Sequence, residues 1–260
     1  MKKSFAISAL VAFSTLSLSA DVKLYDGFKS SRERAGFVGP WRVSKGSVEL
    51  TRSDLSLSGV DSEKGTLELS QDAISVSVIQ GLQAEKVYGS FRVKAGAFTK
   101  GAMIGMSLAE QTIEEVRPDA SRVSFQIKAY GSPLGATTTR GKKKEVKEGA
   151  GISAGEPSLV LFEIHNASAG QGTVTMWVLN AEQAKAHARS GFDIDTLNTA
   201  GLGAGLSQVS QRAQQPLGPT NPSLTEQGLM LCLFNRFNNN PVEFDEIRFS
   251  DSSLADAAGQ

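Results

Sequence analysis

Three acidic residues near the end of the chain, Glu243, Asp245 and Glu246, are the first candidates for chemistry. They lie in the segment 242–249, where apolar and polar residues alternate as in a strand with one buried face. In glycoside hydrolysis, two carboxyl groups beside a sugar ring act as nucleophile and as general acid/base. These residues therefore raise the question of a sugar-cleaving site.

Asp245 is also a candidate metal ligand. By alternation it shares a strand face with Ile247 and Phe249, so we expect its carboxylate to be partly buried. A buried carboxylate needs a cation or several hydrogen-bond donors to offset the loss of water. The alternative is that Asp245 caps a turn or pairs with an arginine.

Trp177 is the main candidate for ligand binding. Its alternate neighbours are apolar, which places Trp177 on the polar face of its strand together with Thr173 and Thr175. An exposed indole is a stacking surface for a sugar ring, and threonine hydroxyls can bond to sugar hydroxyls. Arg122 and Lys128, on a neighbouring strand, would suit this surface to an acidic or sulfated polysaccharide.

Two alternatives stay open for this surface. The segment 181–227 could cover Trp177, and the charged residues could form an ordinary solvated sheet face. Catalysis has weaker support, because His165 and His187 are the only histidines and neither has a recognisable partner. Cys232 lies in an apolar run, which favours a buried, inert thiol.

The elements that would position these residues are β-strands. Alternation of apolar and polar residues recurs along the chain, with the apolar side chains expected to face the core. The predicted strands span residues 22–28, 41–43, 47–51, 55–57, 66–69, 74–78, 91–95, 103–108, 123–129, 159–165, 174–178, 229–234 and 242–249. Many strands with almost no helical periodicity predict an all-β fold of two packed antiparallel sheets.

One long segment interrupts this pattern. Residues 181–189 have the composition of a short helix, but the rest of 181–227 is rich in Gly, Gln, Pro and Asn. Long segments of this kind are commonly functional or disordered. We expect a flexible insertion at about 181–227 within a single domain.

The N-terminal segment has the pattern of a signal peptide. Lys2 and Lys3 precede a short apolar stretch, and Ala20 offers a cleavage site. Removing residues 1–20 takes two Lys from a chain with 27 basic and 27 acidic residues, so the mature net charge is −2 (25 − 27). This balance predicts no attraction to nucleic acid, and no later apolar stretch is long enough to span a membrane.

Three segments resemble a known family. Residues 172–180 and 242–250 are similar to the late and closing strands of secreted bacterial concanavalin A-like (LamG-like) jelly-roll domains, and residues 24–28 fit their opening. The resemblance implies two curved antiparallel sheets over about 21–256, with the first and last strands as neighbours. It also implies a structural Ca²⁺ that joins the terminal segments and pairs Asp245 with Asp26 or Asp21.

The same fold includes laminarinase-type hydrolases, which carry Glu-x-Asp-x-x-Glu or a form one residue shorter. Here the second glutamate is missing, because Arg248 or Ile247 stands in its place. We therefore expect a secreted, non-catalytic carbohydrate-binding protein with a polysaccharide or cell-surface glycan as ligand. An envelope or extracellular structural protein is the first alternative, and an atypical glycoside hydrolase or polysaccharide lyase is the second.

Overall fold

The computed structural model describes residues 22–28, 37–60, 62, 64–80, 86–109, 123–128, 137–138, 153–165, 173–200, 207–212 and 229–260. These residues form two antiparallel β-sheets, which confirms the predicted all-β sandwich. The signal peptide and Arg122 lie outside the described residues.

Sheet 1 contains eight strands and sheet 2 contains six. The strands of sheet 1 are β1 (Val22–Asp26), β3 (Val48–Thr51), β4 (Thr66–Leu69), β6 (Lys86–Ala95), β10 (Ser158–His165), β11 (Thr173–Leu179), β12 (Ser207–Arg212) and β14 (Val242–Ser250). Those of sheet 2 are β2 (Phe37–Lys45), β5 (Ala73–Ile79), β7 (Met103–Ala109), β8 (Val123–Lys128), β9 (Thr137–Thr138) and β13 (Leu229–Arg236).

The strand order places the two ends of the described chain together. Sheet 1 runs β12-β11-β10-β6-β14-β4-β3, and β1 pairs with β14, so the first and last strands are neighbours as the resemblance implied. Sheet 2 runs β2-β5-β13-β7-β8-β9. Residues 55–57, expected to be a strand, form none, while β9 and β12 are strands that the sequence analysis did not predict.

The main core lies between the facing sides of the two sheets. Phe162 of sheet 1 stacks on Phe125 of sheet 2, with ring centroids 4.0 Å apart, and meets Phe249 edge-on at 5.5 Å. Beside it, β6 has Gly89, where a Cβ would lie 2.0 Å from the Phe162 ring. Close packing of large rings therefore fixes the distance between the sheets.

A second apolar cluster lies on the outer face of sheet 1. It joins Leu161, Trp177 and Leu179 to the helices α1 (Ala181–Ala188), α2 (Ile194–Ala200) and α3 (Leu254–Ala258). A capping box between Asn180 and Gln183 begins α1. Residues 181–189, whose composition indicated a short helix, contain α1, and α2 lies in the part of 181–227 that we expected to be flexible. Both helices cover one face of sheet 1.

Within the described ranges, no helix combines the length and the apolar composition that a membrane span requires.

Candidate functional site

Trp177 is not the exposed platform that the sequence analysis expected. The residue does lie on the outer face of β11, but its side chain is 0% exposed because the helical cluster covers it. Its indole nitrogen has no hydrogen-bond partner among the described residues. The expectation of a sugar-stacking role is therefore wrong, and the alternative of a covered Trp177 is what the structure shows.

The other predicted ligand-binding residues are not brought together. Thr173 and Thr175 lie on β11 of sheet 1, whereas Lys128 ends β8 of sheet 2. Thr175 is half-buried. The predicted surface is thus divided between two sheets, and it does not form one site.

The predicted metal ligands Asp26 and Asp245 lie on opposite faces of sheet 1. Asp26 pairs in register with the core residue Ile247, and its carboxylate accepts bonds from Trp41 Nε1 (2.8 Å) and from the Phe28 amide (3.0 Å). Asp245 instead pairs with Arg92 on the outer face. The two carboxylates therefore do not fit a shared Ca²⁺ site, and the described residues contain no cluster of three acidic, His or Cys ligands.

A β-bulge explains the position of Asp245. The register of β14 with β6 shifts between Asp245 and Arg248, and Glu246 has a φ of +51°. The bulge inserts a residue, so Asp245 does not share a face with Ile247 and Phe249 as alternation predicted. That prediction is wrong for this reason.

Asp245 belongs to a closed cluster of charges. Arg92 is 0% exposed and donates to the Leu55 carbonyl at 3.5 Å, while the Glu246 amide donates to Asp245 Oδ1 at 2.8 Å. Burial raises the pKa of Asp245 to about 8, and the charge of Glu246 adds to this, against the opposing effect of Arg92. Because Asp245 and Arg92 are fully buried, the cluster offers a ligand no access to either.

The remaining acids of β14 are held by partners. Glu243 accepts from Lys94 Nζ at 3.1 Å and from Thr66 Oγ1 at 3.3 Å. Glu246 accepts two bonds from Arg248, at 3.0 and 2.7 Å. These contacts give the carboxylates structural partners, and none of these contacts forms the acid/base pair of a hydrolase.

The other candidates for catalysis are also enclosed. His187 is a buried residue of α1 whose side chain is 9% exposed, and burial lowers its pKa. Cys232 is 0% exposed, and burial raises the pKa of its thiol, so it is the inert residue that the sequence predicted. The side chain of His165 lies outside the described part of the structure.

The most distinctive exposed residue is Phe237, in the connection between β13 and β14. Of the large apolar side chains described, Val43, Leu50 and Phe237 are exposed, by 54%, 64% and 55%, and Phe237 is the aromatic one. Its φ is +57°, in the left-handed region that large side chains rarely adopt. Strain of this kind persists only where the surroundings impose it.

A network of amide hydrogen bonds imposes the backbone shape around Phe237. Buried Asn235 donates to the carbonyls of Ser70 (2.9 Å) and Asn240 (2.8 Å). Buried Asn238 accepts from the Thr99 amide at 3.0 Å and donates to the Asn240 carbonyl at 3.1 Å. Hydrogen bonds to the end of β4 and to the β6–β7 loop therefore hold the backbone of the β13–β14 connection, while the Phe237 ring faces solvent.

A network of polar and charged side chains begins at Arg236, beside the ring. Arg236 lies 5.1 Å from the Phe237 centroid, and its Nε donates to Asp72 at 2.8 Å. Lys45 also pairs with Asp72. Gln71 Nε2 donates to Asn239 Oδ1 at 3.0 Å, which orients two exposed amides.

We call this surface the Phe237 patch. It comprises the side chains of Lys45, Gln71, Asp72, Lys100, Arg236, Phe237 and Asn239. Lys100 is included because it is exposed and follows Thr99, whose hydroxyl accepts from the Asn239 amide at 3.0 Å.

This patch was not predicted from the sequence. The available signal was the run Asn238, Asn239, Asn240 and Pro241 between two strong strands, a composition typical of a turn. Alternation locates strands, but it does not show which turn exposes an aromatic ring.

Comparisons with known proteins support the fold. No family model and no curated protein matches the chain. The T. cruzi calreticulin globular domain is similar in structure, with a TM-score of 0.51, 12% identity and coverage of 91% of each chain. This likeness shows a shared lectin-type sandwich fold.

Two further solved structures show weaker likeness. The endo-β-1,4-glucuronan lyase from the fungus Trichoderma reesei has a TM-score of 0.48 at 12% identity, over 88% of this chain and 95% of that chain. The carbohydrate recognition domain of Emp47p has a TM-score of 0.42 at 10% identity, over 79% and 89%.

Proposed function

We propose that this protein is a non-catalytic carbohydrate-binding β-sandwich whose binding surface is the Phe237 patch. The observation that carries the proposal is an aromatic ring that is 55% exposed on a strained, hydrogen-bonded backbone. The patch replaces Trp177 as the proposed anchor.

The chemistry of the patch suits a sugar. The face of a phenyl ring carries partial negative charge, which attracts the C–H groups on one side of a sugar ring. The bond between Gln71 and Asn239 leaves a carbonyl of one and an NH₂ group of the other to face ligand hydroxyls. A polysaccharide repeats both features along its length.

The fixed backbone favours binding as well. Ordering a loop or a side chain costs free energy when a ligand binds, and a surface that is already ordered avoids part of this cost. Two of the residues that hold the connection, Asn235 and Asn238, are 0% exposed, so ligand contact need not disturb them. The strain at Phe237 is then explained as the cost of presenting the ring.

A structural protein without a small ligand is the second candidate. Phe237 and Arg236 together are also typical of the anchor residues of protein interfaces. The exposed amides of Gln71 and Asn239, however, favour a hydroxyl-rich ligand over an apolar protein surface. A signal peptide at residues 1–20, which remains a prediction, would place the ligand outside the cytoplasm.

The test is titration of the full chain with a panel of neutral and acidic polysaccharides by calorimetry, in Ca²⁺ and again in EDTA. Phe237→Ala is expected to weaken binding about tenfold or more, equivalent to about 1.4 kcal/mol, while Phe237→Trp retains it. Leu50→Ala is the matched control, because Leu50 is 64% exposed on the edge strand β3 and is not in the patch.

Three outcomes decide the proposal. Binding that Phe237→Ala removes and Leu50→Ala preserves supports it. Binding that Phe237→Ala leaves unchanged moves the site elsewhere, and no binding by folded protein to any member of the panel overturns the carbohydrate proposal. Loss of binding in EDTA alone would support a calcium site, at residues other than the pair Asp26 and Asp245.

A further inference from the structure

We infer that the Phe237 patch selects acidic polysaccharides over neutral ones, an inference that rests on the proposed function. Two cationic side chains of the patch, Lys45 and Arg236, contact its one carboxylate, Asp72, and the exposed Lys100 follows Thr99 in the adjoining loop. The whole chain carries equal numbers of basic and acidic residues, 27 of each, so this local excess is not a general property of the surface.

Asp72 does not neutralise the patch. Lys45 and Arg236 share its single carboxylate, and the side chain of Lys45 is 49% exposed. Partial burial raises the pKa of Asp72, but the hydrogen bonds and charges of Lys45 and Arg236 outweigh it and hold the pKa below the ordinary value. Asp72 is therefore ionised at neutral pH, and two cations compete for one anion.

With respect to the described residues, Arg236 keeps N–H donors that a ligand anion can use. Arg236 gives its Nε to Asp72, and a guanidinium has five N–H donors in a planar fork. A planar carboxylate or a sulfate group on a sugar bound to Phe237 would lie within reach of this fork, because Arg236 is 5.1 Å from the ring centroid.

Further acids lie near this end of the sandwich. Glu156 is in the turn whose Gly155 amide donates to the Ala95 carbonyl at 2.7 Å. Glu243 is paired with Lys94, while Glu49 and Glu68 lie opposite each other one residue inside the ends of β3 and β4. The cationic excess is therefore confined to the patch itself. The excess is small and exposed, so its effect must be moderate and must weaken as salt is added.

The test compares four defined ligands for binding to the full chain: polygalacturonate, dextran sulfate, neutral dextran and a neutral mixed-linkage β-glucan. The acidic ligands are expected to bind at least threefold tighter than the neutral ones at 50 mM salt, and the difference should shrink at 500 mM. Polygalacturonate and dextran sulfate distinguish carboxylate from sulfate as the recognised group.

Variants that remove positive charge and variants that remove negative charge should change the affinity for acidic ligands in opposite directions. The double variant Lys45→Gln/Lys100→Gln is expected to weaken binding of the acidic ligand about fivefold and to leave neutral ligands unchanged. Asp72→Asn should tighten acidic binding about twofold, because it removes the only carboxylate of the patch. Asn tolerates the φ of +52° at this position, so the backbone should be retained.

Lys64→Gln is the matched control, since Lys64 is exposed in the loop before β4, at the strand end opposite Ser70. The inference is overturned if neutral ligands bind as tightly as acidic ones, or if Asp72→Asn weakens acidic binding in protein with an unchanged melting temperature. Neutral binding that still depends on Phe237 would overturn the inference alone and keep the proposed function. Absence of binding to all four ligands would overturn both.

Discussion

At the scale of single residues, the backbone conformation of Phe237 has a cost in free energy that the contacts of its side chain relieve only in part. A left-handed conformation costs a residue with a Cβ roughly 1–2 kcal/mol relative to the right-handed region. Arg236 recovers part of this through its contact with the ring. The conformation is therefore maintained by the surrounding hydrogen bonds, and a smaller residue would fit it better.

We expect Phe237→Gly to be about 1 kcal/mol more stable than Phe237→Ala, because both lack the ring and only glycine avoids the strain at a φ of +57°. Both variants should lose carbohydrate binding equally. Urea denaturation gives the stabilities, and calorimetry gives the affinities. Equal stability of the two variants would show that the conformation is not strained.

Asp245 links stability to pH. Burial raises its pKa in the folded state from 3.8 to about 8, so the folded protein holds this proton more tightly than the unfolded chain does. Stability from this group is complete below pH 4 and is lost as the pH rises towards 8. Asp245→Asn cannot ionise and should remove this dependence.

We expect the free energy of unfolding of Asp245→Asn to rise relative to that of the wild type by up to about 1.4 kcal/mol per pH unit between pH 5 and 8. Above pH 9 the difference between the two proteins should no longer change. Denaturation of both proteins at matched pH values measures this difference. Asp193→Asn is the control, because Asp193 is exposed at the start of α2, and hydrogen bonds from Thr196 hold its pKa below the ordinary value. A difference that is constant from pH 5 to 9 would mean that Asp245 is ionised throughout.

The sequence predicted the sheet face on which Trp177 lies, but it did not predict whether the side chain is exposed there. It placed Trp177 on the outer face of β11 correctly, because alternation determines which residues share a face. It could not show that helices formed 4 to 23 residues later, at 181–200, cover that face. Exposure depends on contacts distant in the sequence, which a local pattern does not contain.

At the scale of elements, regular alternation failed at two strands. In β14 the core residues are Val242, Phe244, Ile247 and Phe249, and the extra residue between Phe244 and Ile247 is the bulge. The sequence contained this signal as a break in the spacing. In β5, Ser75 and Ser77 pair with the core residues Leu233 and Leu231, so the serines face inwards and Ile74 faces outwards.

The N-terminus of α1 offers a test of how the helices cover sheet 1. Asn180 and Gln183 exchange bonds of 2.9 and 3.0 Å, and loss of such a cap costs about 1 kcal/mol. Asn180→Ala should destabilise the protein by about that amount and increase quenching of Trp177 fluorescence by acrylamide, relative to Lys185→Ala on the exposed side of α1. Loss of stability without increased quenching would mean that other contacts hold the cover.

At the scale of the whole molecule, the two-sheet core was predictable because many strands repeat the same period. The strand order was not predicted, apart from the neighbouring first and last strands that the family resemblance implied. The position of the candidate site was not predictable in this way. It combines the β2–β3 turn, the β4–β5 turn, the β6–β7 loop and the β13–β14 connection, which meet only once both sheets have formed.

The contact that joins the sheets provides the last prediction. Phe162 is 0% exposed and touches Phe125 of the opposite sheet and Phe249 of its own, so Phe162→Ala removes packing on both sides of the core. Such substitutions cost about 3–5 kcal/mol, because the cavity collapses only partly. If the described chain is one cooperative domain, the variant should unfold in a single transition with a lower urea midpoint and an unchanged slope. Phe237→Ala removes a ring of the same size from the surface and should shift the midpoint far less. Two separate transitions in either protein would show that one sheet, or the helices that cover sheet 1, unfolds independently. The Phe237 patch would then depend only on the part that remains folded after the first transition.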